Sequence, residues 1–422
     1  MAAGANADFL SLQLERVRPF LPVAYEREKG FGAKIKKVEG IEVSSRNLRL
    51  PIQVSPGGKF GYCTFAGTSL GLGGASSTQV ATLTPVGIRF NVQINRDVQY
   101  YTNSAEKAIA QVLKKELENA VPEFATQIDM ELQGDGTGVR LISSNYSANV
   151  FTAAAATWAI GVQNLRVGQD VAVYDTTLAT NRGECTITAI NLAPATRTVT
   201  VNSAPGGSVT GDKLLPSGVS GANPVTLFGI PYHDAVSGTW LGLARGTYTN
   251  LVTPSVAAAS AALNVSHIRL LVNTVAMRNG QDVFDDGDWN MCMHQCQQDA
   301  WMDLGDNITE IALNAGQSQK ATDLAGNARQ KPVIAGFQTM VGVHYNPTRL
   351  ELVDFKNWGR GEAQPIDFYK DRNGNMYFTP VSTTDGSPLT SDLFSIHTLM
   401  QTFVANPQRA GFISGLGVKS GY

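Results

Sequence analysis

Gly67-Thr68-Ser69-Leu70-Gly71 matches the G-x-S-x-G pattern in which a strained turn presents a serine hydroxyl as a nucleophile. That elbow requires a buried strand before the serine and a helix directly after it. Here the next residues are Leu72-Gly73-Gly74-Ala75-Ser76-Ser77, which cannot open a packed helix, so the glycines read as a loop tip. A hydrolase acting through Ser69 would be labelled by serine-reactive probes as a soluble monomer. Gly71, Gly73 and Gly74 also lack the Gly-Lys-Ser/Thr and the helix N-terminus of a phosphate cradle.

Cys292-Met293-His294-Gln295-Cys296 has the spacing most like a metal site. On a strand its three ligand-type side chains share a face, whereas on a helix Cys292 and Cys296 align and His294 points away. The flanking Met, Gln and Ala predict a helix from Asp288 to Leu304, with Trp289, Met293, Cys296, Ala300 and Leu304 as its apolar stripe. No second ligand pair stands at zinc spacing, so the cysteines read as packed thiols. Asp282, Asp285, Asp286 and Asp288 precede that helix, with Asp288 placed as its cap. Asp371-x-Asn373-x-Asn375 starts like a calcium loop but carries Met376 where glycine is needed and Ser382 where glutamate is needed. His233, His267, His344 and His397 show no Ser/Asp partners. No catalytic, cofactor-binding or metal-binding residue is assigned.

The 422 residues predict two to four domains. Hydrophobic residues make up 43% and charged ones only 16%, against a typical ~25%, and a sparsely charged surface suits extensive protein contacts. The net charge of −2 excludes a dedicated nucleic-acid reader. Arg16, Arg18, Arg27, Lys29, Lys34, Lys36 and Lys37 are partly balanced by Glu15, Glu26, Glu28 and Glu39, which reads as a solvated face, the alternative being weak, non-specific contact with nucleic acid packed nearby. Cys63, Cys185, Cys292 and Cys296 are too few for a disulfide framework and fit a reducing compartment. The start lacks a secretory n-region, and no run approaches the ~18 apolar residues of a membrane span. The expectation is a soluble protein made in a cytoplasm, with no membrane partner.

Positioning elements follow from periodicity. Residues 8–21 carry Phe9, Leu10, Leu14 and Val17 at helical spacing, ended by Pro19 and Pro22. Strand-like runs at residues 52–65 and 82–94 flank the glycine-rich tip, and a two-strand excursion of this length needs a neighbour to lie on. A helix of about 30 residues then begins at Asn103, with Glu106 completing a capping box and Pro122 as a kink point. Short alternating runs between Leu165 and about Ser220 predict a small antiparallel β module. Asn264 to Asn279 reads as a helix, Lys331 to Phe355 as strands, and residues 367–378 as a hairpin turning at Asn373-Gly374.

An arm, a glycine-rich loop with Pro56-Gly-Gly-Lys-Phe-Gly61, and a long helix over 103–133, in that order, resemble tailed-bacteriophage major capsid proteins. The resemblance implies an α+β capsid fold. Its parts would be an N-terminal arm (1–38), an extended loop (39–98) and a peripheral domain with the spine helix (99–138 and 337–380). An axial region (139–336) containing the inserted β module (160–220) and a C-terminal β-rich segment (381–422) would complete it. It implies a structural virion protein, not an enzyme, that assembles in the host cytoplasm as pentamers and hexamers into an icosahedral shell around double-stranded DNA. Lys59, Phe60, Tyr62 and Phe65 would be the intersubunit loop contacts. Scaffolding would come from a separate protein, because no long N-terminal delta domain is present, and a portal and a decoration protein are the other implied partners. Self-crosslinking relatives use a Lys, an Asn and a Glu, chemistry that Lys59 alone does not establish. An encapsulin-like nanocompartment shell is the alternative.

Overall fold

The computed structural model describes residues 14–27, 30–38, 42–44, 47–55, 57–58, 74–95, 105–154, 162–193, 197–313, 334–370, 374–379 and 391–418. The fold is mixed α+β and divides into two compact units.

The first unit comprises Met1–Leu48, Leu83–Asp129 and Arg360–Thr402. Its centre is the long strand Ser391–Val404, paired antiparallel with Val86–Asn95 from Ser391↔Asn95 to Met400↔Val86. The long helix Ala105–Leu132 runs through Pro122 and buries Leu117, Ala120, Phe124 and Ile128, which recur every three or four residues. Phe124 meets Phe90 edge-on with ring centroids 6.4 Å apart, and Tyr25 at 6.3 Å. Asp129, near the end of this helix, accepts hydrogen bonds from Gly32 N (2.7 Å) and Phe31 N (3.2 Å). It thereby caps a short helical turn whose own N-cap, Gly30, has no side chain to offer. A Cβ at Gly30 would fall on the Asp129 carboxylate, so a side chain there would have to displace the cap.

Two expectations fail in this unit. Pro22 does not stop a helix; it lies in the first turn of Leu21–Arg27, where proline is tolerated. The 367–378 hairpin does not form either, although Gly374 has the left-handed φ of +86°. Trp358–Phe368 and Tyr377–Phe378 each pair with Ser391–Val404 instead of with each other. A long, largely buried strand offers both limbs more ladder and more apolar contact than a local Asn-Gly turn. Asn373 lies outside the described residues.

The second unit comprises Arg49–Thr82, Met130–Gly359 and Phe403–Tyr422. A five-stranded mixed sheet runs in the order Ser255–Ala257, Ala410–Ser414, Arg349–Asp354, Trp289–His294, Gln338–Gly342. Helix Val265–Asn279 packs on it through Ile268, Leu271 and Val275. It sits so close that a Cβ at Gly411 would lie 2.8 Å from Val275 and 2.9 Å from Leu271. The predicted N-cap is in place, with Asn264 Oδ1 accepting from His267 N at 2.9 Å.

The helix predicted from Asp288 is a correction. Trp289–His294 is a strand buried at every position, and the helix begins at Gln295 and runs to Leu313. Strands pair along both of its edges and its side chains are buried on both faces, and such a strand loses the alternation that would mark it. Asp288 caps nothing there; its N–H donates to Asp354 Oδ1 at 2.9 Å.

A closed barrel fills much of residues 141–216, its strands running Thr198–Val201, Val150–Ala153, Leu141–Ser147, Lys213–Pro216, Asp170–Tyr174 and Asn181–Asn191 around the ring. Leu141, Phe151, Val171, Val173, Ile187, Val199 and Leu214 form its core. Closure leaves no unpaired edge among these strands. The first two in sequence form a hairpin through Ala148 and Asn149, both at positive φ (47° and 67°), as a two-residue turn demands.

Candidate assembly surface and its buried polar support

The excursion is described on both sides of its tip. Asn47–Ser55 and Ser77–Leu83 are neighbours in one sheet, and Gly58 N still donates to Gly74 O at 2.8 Å beyond the strand ends. Alternation sorts the side chains: Ile52, Val54, Ala81 and Leu83 are buried, while Arg49, Pro51, Gln53, Ser55, Val80 and Thr82 are exposed. The root is therefore seated within its own chain, a correction to the expectation that the whole excursion waits for a neighbour. Two bonds fix it: Asn250 Nδ2 donates to Val54 O (2.8 Å) and Thr82 N to Leu241 O (3.1 Å).

Both anchors come from the 230–253 segment, which has little regular structure and is held by polar bonds. Arg245, only 2% exposed, donates to the carbonyls of Leu251 (3.0 Å), Tyr232 (2.9 Å), His233 (2.8 Å) and Ser237 (3.3 Å). Trp240 Nε1 donates to His233 Nδ1 at 3.0 Å, and Leu241 N to the Tyr232 hydroxyl at 2.9 Å. One guanidinium thus draws the loop into a compact support beneath the excursion. A neighbouring strand completes it: Arg349 Nη2 donates to Asp234 O at 3.1 Å, while Arg349 Nε pairs with Glu351 at 2.7 Å and the guanidinium lies 4.1 Å over the Phe412 ring.

Lys59, Phe60, Tyr62, Phe65, Ser69 and Cys63 lie outside the described residues. Cys292 and His294 stand on the buried strand and Cys296 at the start of the following helix, all three buried. Burial pushes the Cys296 thiol up to about 11, which makes it inert. Among the described residues no cluster of three or more His, Cys, Asp and Glu could hold a metal ion. His294 instead closes a turn, its Nδ1 accepting from Cys296 N at 3.1 Å.

That bond requires neutral imidazole. Burial, with Arg197 and His344 nearby, lowers His294 from 6.5 to about 4, and burial also lowers His344. Because the folded value lies below the unfolded one, the stabilisation is complete above about pH 6.5 and drains away as pH falls to about 4. Urea unfolding at pH 7 and pH 4 should show roughly 3 kcal/mol more acid destabilisation in wild type than in His294→Asn, whose Oδ1 keeps the acceptor without the titration. Equal losses would mean that His294 protonates freely in the fold.

Sequence reading missed Arg245, Asp234, Arg349 and Glu351. Arg349-Leu350-Glu351-Leu352 alternates like a half-solvated strand, yet Leu350, Glu351 and Leu352 are all buried. Charges inside an otherwise apolar strand were the available signal.

No family model matches the chain, and no curated protein matches it. Among solved structures it is similar to the cyanophage A-1(L) capsid asymmetric unit, at 9% identity and a TM-score of 0.48, covering 91% of this chain and 92% of that one. It is similar to the capsid of the native GTA particle at 10% identity and a TM-score of 0.42, covering 91% and 89%. A virus-like particle from Pyrococcus furiosus is similar at 7% identity and a TM-score of 0.36, covering 95% and 99%. Over about nine-tenths of its length the chain is similar to capsid structures from phages and from a GTA particle.

Proposed function

We propose that this chain is a major capsid protein, the repeating subunit of an icosahedral shell that encloses the double-stranded DNA of a tailed phage. The observation that carries the reading is the excursion. Its root is held to the 230–253 segment by two hydrogen bonds and buries one face, while the other face offers exposed strand residues, including Val80 at 54% exposure. Anchoring a two-strand ribbon so firmly at its base makes physical sense when the far end carries load against another copy. Lys59, Phe60, Tyr62 and Phe65 are the contacts assigned to that end, and apolar groups there would otherwise be exposed liabilities. Pentamers and hexamers repeat such a contact many times, so modest interfaces of ~1,600 Å² suffice. A separate scaffolding protein, a portal and a decoration protein are the remaining partners. The arm contacts packaged DNA without sequence preference, and the barrel decorates the exterior.

Negative-stain electron microscopy of the expressed chain, alone and with a scaffolding protein, tests the reading. Closed particles are the expected result, and a monodisperse monomer under both conditions overturns it. Nuclease-protected double-stranded DNA inside the particles supports a phage head. An enzyme cargo in its place moves the assignment to an encapsulin-like nanocompartment.

A further inference from the structure

Among the described residues, Asp234 stands alone in having both carboxyl oxygens buried without a hydrogen-bond partner. It is 0% exposed and belongs to the segment that anchors the excursion. Two guanidiniums are nearby, but neither bonds its carboxyl: Arg245 donates to four backbone carbonyls, and Arg349 binds Glu351 and the Asp234 backbone carbonyl. The second oxygen of Glu351, Oε2, is likewise buried and unpartnered.

We propose that Asp234 is a proton-binding site, keeping its acid proton at neutral pH and releasing it to hydroxide in alkali, whereupon the 230–253 segment loosens its hold on the excursion root. A proton on this carboxyl supplies the donor that the cluster lacks, and Glu351 Oε2 is the acceptor left over. The proton resides on Asp234 because Glu351 already has a guanidinium at 2.7 Å, whereas the Asp234 carboxyl has none. The groups facing it are Glu351 and Arg349 on the adjacent strand and Arg245 in the loop, with Tyr232 and His233 on its own turn.

Burial first, then the Glu351 charge, holds the Asp234 acid well above the ordinary carboxylate range, against the pull of Arg349 and Arg245. A value raised on folding stabilises the protein below it and is lost as pH rises through it. Ionisation would place an unsolvated, unbonded carboxylate between the loop and the strand, the costliest state for a buried acid.

The test uses the whole chain as an unassembled subunit, so its outcome does not depend on whether copies close a shell. Wild type at pH 7 should show the infrared band of a protonated carboxylic acid, absent from Asp234→Asn and lost in wild type on raising the pH. Over the same alkaline range the Thr82 amide should lose hydrogen-exchange protection in wild type and keep it in Asp234→Asn, which retains a donor but cannot ionise. Lack of the band in neutral wild type, or the same pH dependence at Thr82 in both proteins, overturns the proposal. Should the variant not fold, the presence or absence of the wild-type band at pH 7 decides.

Discussion

Replacing residues 59–73 with an Asn-Gly turn should leave a folded subunit that forms no closed particles. Gly58 and Gly74 are already hydrogen-bonded at 2.8 Å, so a two-residue connection closes the ribbon without strain. Everything that seats the root is retained: buried Ile52, Val54, Ala81 and Leu83, and the bonds from Asn250 and to Leu241. Burial of each larger apolar side chain contributes about 1.5–3 kcal/mol, and none of that is removed. The thermal midpoint of the monomer should therefore be unchanged. Assembly is different, because each lost contact weakens association about tenfold per 1.4 kcal/mol and the loss recurs at every copy. Normal particles in electron micrographs of this variant would show that the tip does not hold the shell together.

Arg245→Met should destabilise the second unit by about 3–5 kcal/mol, the range for removing one partner from a buried charged network. Methionine fills a similar length but leaves four backbone carbonyls without their donor, each costing roughly 1–3 kcal/mol before the loop relaxes. Arg245→Lys keeps the charge without the planar fork and should lose less. Urea unfolding monitored by tryptophan fluorescence would measure both, since one of the five tryptophans, Trp240, is bonded into the same support through His233. A loss below about 1 kcal/mol in the methionine variant would mean the carbonyls find other donors.

Local pattern carried a good part of the fold. The Asn264 cap and the spacing of Ile268, Val272 and Val275 placed one helix within a residue of its observed bounds. The apolar repeat over Leu117, Phe124 and Ile128 placed another, and alternation over Asp170–Tyr174 marked a strand. These elements were legible because the forces shaping them act between residues a few positions apart.

What failed was decided by partners distant in sequence. Trp289–His294 became a strand because residues 338–342 and 349–354 arrive on either side of it. The Asn373-Gly374 signal lost to pairing with Ser391–Val404. Barrel closure required Leu141–Ser147 to find Lys213–Pro216, a partner its own alternation cannot name. The support around Arg245 is the extreme case, since its carbonyls carry no side-chain signature and only the folded loop brings them within reach of one guanidinium. Composition and periodicity by themselves determined the main helices, several strands and a glycine-tipped excursion. Which charges were buried, and which backbone groups they satisfied, was settled by tertiary structure, because desolvation depends on everything that packs around a group rather than on its neighbours in the chain.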